Sequence, residues 1–302
     1  MTVVTAPPSQ RPPQPDAVEP VIDSHVHVWD PARVNYPWLV DAPALNRRLD
    51  LSDVAPELDA AGVVAVVLVQ GADHVEDTEL MLEIAASNDL VAGVVGWVPL
   101  LDPVVAERTL DRWKDDPIVG VRHLIHRDPD PDLLADRRID DVLAMLAERN
   151  LTFDVCAESV HLLRLVPGLA ERHASLTLVI DHLAKPPIAA GGWDPWAGLL
   201  AEAAAAPNTV VKLSGLNTAA AGASPADYRR YVDHALDIFG PERTMYGGDW
   251  PFALLAADSY SEIWRDLRAT LDSLNPADRH QVLAGTTHRV YKLSVPTLTA
   301  TR

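Results

Sequence analysis

The stretch VIDSHVHVWDP, residues 21–31, runs from a β-branched segment into two histidines spaced one residue apart. Read as a strand, its alternation puts His25 and His27 on one face together with Val21 and Asp23. Seven further apolar runs follow: VVAVVLVQ (63–70), VAGVVGWV (91–98), IVGVRHLI (118–125), LTFDVC (151–156), LTLVIDHL (176–183), TVVKLSG (209–215) and TMYGGDW (244–250). Helix-length segments rich in Ala, Leu, Glu and Arg lie between them, for example at 76–90, 133–149, 159–173, 195–206 and 225–239. Near-continuous apolar strands alternating with helices indicate a parallel sheet covered on both faces. Eight such units in about 280 residues predict an α/β chain folded as one (β/α)8 barrel (a TIM barrel). A doubly wound open sheet fits less well, because no G-x-G-x-x-G follows the first run.

The flanks and the composition narrow the function. The first twenty residues, MTVVTAPPSQRPPQPDAVEP, are crowded with proline and lack the basic-then-apolar pattern of a signal peptide. We read residues 1–19 as a disordered or surface-wrapping arm, 20–294 as the barrel and 295–302 as a flexible tail. The segment 31–50 is non-periodic, carries Tyr36 and Trp38, and reads as a loop over the barrel mouth. The chain has 302 residues and a formal charge of −18, which argues against nucleic acid and anionic membrane surfaces as partners. No apolar run is long enough to span a bilayer. Cys156 is the only cysteine, so no intrachain disulfide can form and a cytoplasmic setting is the simplest reading. Homo-oligomerisation is compatible with all of this.

Barrel enzymes place their chemistry at the C-terminal ends of the strands. Polar residues late in an apolar run are therefore the candidates. They are His25 and His27 in the first run; Gln70 in the second; Arg122, His123 and, just beyond, His126 in the fourth; Asp154 and Glu158 around the fifth. Asp181, His182 and Lys185 follow the sixth, Lys212 and Ser214 lie in the seventh, and Asp249 ends the eighth. Singly, each reads as well as a satisfied core group or a salt-bridge partner. Buried charge is costly without a partner or a polar cavity, so their gathering at one end of several strands favours a site. His25, His27, His182 and Asp249 form a three-imidazole, one-carboxylate set. It suits zinc or a similar divalent ion, and it works equally as acid–base machinery without metal. Lys212 is expected to pair with a carboxylate such as Asp23, and Cys156 to be core. Trp29, Tyr36, Trp38 and Trp250 flank the motifs as stacking faces or as packing.

The H-x-H of the first run, DHLAKP at 181–186 and GGDWP at 247–251 resemble the amidohydrolase superfamily. More narrowly, DSHVHVWDP with YPWL, VLVQ, GVRHL, VKLSGL and RVYKL resemble its amidohydrolase-2 branch, which holds sugar-lactone hydrolases of the L-fuconolactonase and L-rhamnonolactonase type. The resemblance covers roughly residues 20–293 and implies hydrolysis of a small lactone, most simply a sugar-acid lactone. It implies metal ligation by His25, His27, His182 and Asp249 where a metal is bound, with Asp249 activating water and His182 assisting. Arg122, His123 and Lys185 match substrate-lining positions, with Trp29 and Gln70 as further substrate contacts. The fourth run offers no lysine of the kind that bridges two metals in binuclear members. One divalent ion, zinc first, or none is therefore expected. The other activity of the branch, metal-dependent decarboxylation of an aromatic or muconate-like acid, reuses the same four residues and stands as the alternative.

Overall fold

The computed structural model describes residues 19–221 and 225–295. Almost all of the expected arm at 1–19 and tail at 295–302 lies outside the described residues. Eight strands follow in order: β1 (Val21–Val26), β2 (Val63–Val69), β3 (Val91–Gly96), β4 (Ile118–His123), β5 (Thr152–Val155), β6 (Leu178–Ile180), β7 (Thr209–Leu213) and β8 (Thr244–Tyr246). Each pairs in parallel with the next, in the order β1 to β8. Between β8 and β1 the ring is drawn together by the chain just past β8: Asp249 N donates to His25 O at 2.8 Å and His27 N to Trp250 O at 2.7 Å. The barrel seam therefore runs through the histidine pair and the aspartate.

Strand residues alternate between two apolar clusters, as a sheet covered on both faces requires. Val66 and Leu68 pack outward with the helices, whereas Ile22, Val67, Val69, Val179, Val210 and Met245 fill the interior. Tyr291, Val290 and Leu293 of the C-terminal segment join that interior cluster. The helices cover the barrel with amphipathic faces. Val160–Arg172 buries Leu162, Leu163, Val166 and Leu169 at helical spacing and is capped by Ser159, whose side chain accepts from Leu162 N. Tyr260–Thr270 is capped likewise by Ser259 and buries Tyr260, Ile263 and Leu267.

Three readings of the sequence change. The helix expected over 133–149 begins only at Asp140, because short 3-10 turns at Leu133–Ala135 and Arg137–Ile139 precede it, the second capped by Asp136. Asp23 does not share the face of His25, since the pairing register of β1 shifts between Asp23 and Val26. Asp23 instead accepts from Tyr260 Oη of the outer helix at 2.8 Å, and from the backbone N–H groups of Gly248 and His25. Lys212 accordingly pairs not with Asp23 but with Asp154 and Asp181, at 2.6 and 3.2 Å. Segment 31–50 does lie over the mouth, where Trp38 Nε1 donates to Gly71 O and Tyr36 Oη to Asp77.

Candidate active site

Two backbone distortions aim the key side chains. After β6 the chain turns left-handed for four residues, with φ of +55° at His182, +51° at Leu183, +55° at Ala184 and +49° at Lys185. Left-handed backbone costs a non-glycine residue roughly 1–2 kcal/mol, so the turn persists only because its surroundings fix it. Trp196 Nε1 donates to Leu183 O at 2.7 Å, and Asp181 to Ala184 are buried. Asp249 adopts φ +55° as well, held by its bond to His25 O. Gly215, φ +60°, sits between them: a Cβ there would lie 2.9 Å from both Asp249 Oδ2 and His182 Nδ1.

His25, His27, His182 and Asp249 converge. Asp249 Oδ1 lies 3.5 Å from His27 Nε2 and 3.8 Å from His25 Nε2, and its Oδ2 lies 3.9 Å from His182 Nδ1. Both Asp249 oxygens are buried without a hydrogen-bond partner. His27 Nδ1 donates to the Val69 carbonyl at 2.7 Å, which leaves its Nε2 a lone pair when the ring is neutral. His25 Nε2, 3.1 Å from that lone pair, also faces the Arg122 guanidinium at 3.2 Å. Burial and the neighbouring Lys212 ammonium hold His25 well below the usual imidazole range, so it is neutral. Burial lowers His182 too. Burial would push Asp249 up, but His182, His27 and His25 outweigh it and keep the carboxyl well below the usual carboxylate range.

The His27 lone pair and the two unpartnered carboxylate oxygens make a pocket that a cation, or a water with its protons, would satisfy. The ligand atoms of His25, His182 and Asp249 lie within 4.8 Å of one another, so the residues fit a single divalent ion. Arg122 at the edge opposes any second positive charge.

Beneath the site lies a buried ion network. Lys212 bridges Asp154 and Asp181 and approaches His25 Nδ1 at 3.2 Å. Arg122 bonds Asp181 Oδ2 at 3.2 Å, and Tyr291 Oη donates to Asp154 at 2.7 Å. Two cations against two carboxylates balance charge where water is excluded. Arg122 also donates to Gln70 O, while its Nε is buried without a partner.

Above the site opens a cleft, walled by His27, Arg122, His182 and Asp249 at its base. Trp29, Trp38, Lys185 and Phe252 stand around it. Gln70 and His123 lie outside that wall. The Gln70 amide donates to Arg122 O at 3.1 Å, and His123 bridges Trp97 Nε1 and Asp128. Leu124, His126, Cys156 and Glu158 also line the cleft. Of these, His126 and Glu158 are among the strand-end candidates the sequence offers, just past β4 and β5, although it gives them no role; Cys156, expected in the core, is buried and also borders the cleft.

The family model described as amidohydrolase matches residues 22–293. A Burkholderia multivorans protein named L-fucono-1,5-lactonase is 34% identical over 293 residues, covering 91% of this chain and 97% of its own. A crystal structure of an amidohydrolase from Burkholderia multivorans with bound HEPES matches with a TM-score of 0.83 and 32% identity, over 91% of this chain and 100% of that one. A second crystal form, with bound zinc, matches with a TM-score of 0.82 and 33% identity over the same shares. Among the described residues, no helix is long and apolar enough to cross a membrane.

Proposed function

This chain belongs to the amidohydrolase family, and within it we propose that the protein is an enzyme opening the ring ester of a small sugar-acid lactone, of the L-fuconolactone or L-rhamnonolactone kind. The observation that carries the reading is Asp249: an ionised carboxylate at the base of a cleft, both oxygens buried and unpartnered, three imidazoles around it. Asp249 takes a proton from a water as that water's oxygen bonds to the lactone carbonyl carbon. The carbonyl electrons move onto oxygen, where the free Nε–H of Arg122 and the neighbouring His182 are the donors for the oxyanion. Collapse breaks the ring C–O bond, and protonated Asp249 returns its proton to the departing alkoxide. A carboxyl held below its usual range is a weak base but a strong acid, which suits the second step. Lys185 contacts the substrate further along the cleft, and the Trp29 and Trp38 faces offer apolar surface to the ring.

His25, His182 and Asp249, with His27 beside them, would hold a divalent ion such as zinc, which when bound polarises a carbonyl as a Lewis acid. The test is a panel of sugar lactones followed by proton release in weak buffer, with and without chelator. Proton release on a hexonolactone is expected. Silence across the panel, with carbon dioxide released from an aromatic acid, would replace this reading with decarboxylation.

A further inference from the structure

One step beyond His182 the cleft has a second polar end that the reaction leaves unused. Cys156 has its ligand atom within 4.8 Å of that of His182, and its Sγ lies 3.4 Å from Glu158 Oε1. The ring nitrogen of His126 completes a trio with Cys156 and Glu158 in which the donor atoms again lie within 4.8 Å of one another. Lys185, brought in by the left-handed turn, places Nζ 3.9 Å from Glu158 Oε1 and 3.4 Å from Thr218 Oγ1.

Apart from the weak bond that the Cys156 thiol donates to Glu158 Oε1, these groups do not satisfy one another. A separation of 3.9 Å is too long for a hydrogen bond between Lys185 and Glu158. His126 Nδ1 is buried with no partner. Burial would raise the Glu158 carboxyl, but the Lys185 ammonium, helped by the Cys156 hydrogen bond, holds it below its usual range, so it is ionised. Burial pushes His126 down to about 4, so its ring is neutral. The cluster thus offers a charged acceptor, a charged donor and a neutral imidazole, each with capacity to spare. A metal ion suits it poorly, because the ammonium already stands beside the carboxylate and burial holds the Cys156 thiol well above its usual range. A hydroxyl group suits it well: it donates to a carboxylate and accepts from an ammonium at the same time. The neighbouring walls, Leu124 and Phe252, are apolar, and Lys185 Nζ stands 5.4 Å from the Phe252 ring centre.

We propose, resting on the lactonase reading above, that Glu158, Lys185 and His126 form the subsite for the substrate's ring hydroxyls and select neutral polyhydroxylated lactones. Glu158 accepts from two vicinal hydroxyls, Lys185 donates to one of them, and His126 fixes the orientation of the other. The same carboxylate disfavours lactones that carry an acid group at that end.

The test compares kcat/KM on a hexono-1,5-lactone with kcat/KM on δ-valerolactone, the same ring without hydroxyls, for the wild type, Glu158→Ala and the isosteric Glu158→Gln. A hydrogen bond to a charged group is worth roughly 10- to 100-fold. Both variants should lose that much more on the hexonolactone than on δ-valerolactone, mostly through KM. Equal losses on the two substrates, or no loss on the hexonolactone, overturn the subsite while leaving the lactonase reading intact. A wild type that opens neither ring overturns the lactonase reading and the subsite with it. Should the alanine variant fail to fold, the glutamine variant reads the same ratio.

Discussion

Gly215→Ala separates the geometry of the site from the stability of the barrel. Gly215 has φ +60°, so an alanine there carries a backbone penalty of roughly 1–2 kcal/mol wherever it packs. It also places a methyl group 2.9 Å from Asp249 Oδ2 and 2.9 Å from His182 Nδ1. One or both must retreat by about 0.5–1 Å to restore ordinary contact, and a misplacement of that size near reacting atoms costs on the order of 100-fold. Gly191 supplies the matched control: its φ is +61°, and nothing lies within 4 Å of a Cβ built on it. Gly191→Ala should lose about 1–2 kcal/mol in urea titration, and Gly215→Ala at least as much, since its methyl also displaces buried groups. Only Gly215→Ala should lose roughly 10- to 100-fold in kcat for lactone hydrolysis, read as proton release. Wild-type kcat in Gly215→Ala, or an equal kcat loss in Gly191→Ala, would refute the claim that Asp249 and His182 are held in a working geometry across Gly215.

Two further outcomes follow from the buried charges. Lys212→Met leaves Asp154 and Asp181 facing Arg122 alone, so the variant should lose on the order of 3–5 kcal/mol in chemical denaturation, and a change below about 1 kcal/mol would contradict the network. His126 titrates at about 4 when folded against 6.5 when unfolded, so the unfolded chain binds more protons between these values. Stability should therefore rise with pH from about 4 to 6.5, and His126→Gln should flatten that slope; an unchanged slope in urea titrations across this range would count against a buried neutral His126.

The eight strands were legible because a parallel barrel buries both faces of each strand, which leaves runs such as VVAVVLV with no polar alternation to confuse them. Their ends were less so. The run 176–183 pairs only over Leu178–Ile180, since the left-handed turn at His182 withdraws the rest, and nothing in Asp-His-Leu-Ala-Lys forecasts reversed backbone. Packing by Trp196 and the walls of the cleft imposes it against local preference. Asp23 and Lys212 were misplaced for related reasons. Strict alternation along β1 fails at its register shift, and Lys212 meets Asp154 because alternate strands of a barrel contribute to one interior layer. The set of His25, His27, His182 and Asp249 could be picked out because its members sit together at the C-terminal ends of apolar runs, where barrel chemistry is placed. Glu158 and His126 are candidates by the same rule, but their grouping with Lys185 needed the third dimension, as their loops bring them together from different strands.

The most direct measurement is the turnover of Asp249→Asn on a hexonolactone that the wild type opens. The amide keeps the shape of the carboxylate and removes its capacity to take a proton from water. With folding verified by an unchanged thermal midpoint or better, kcat should fall on the order of 100- to 10,000-fold. Turnover within about threefold of the wild type, a loss far smaller than general-base removal allows, would contradict the account.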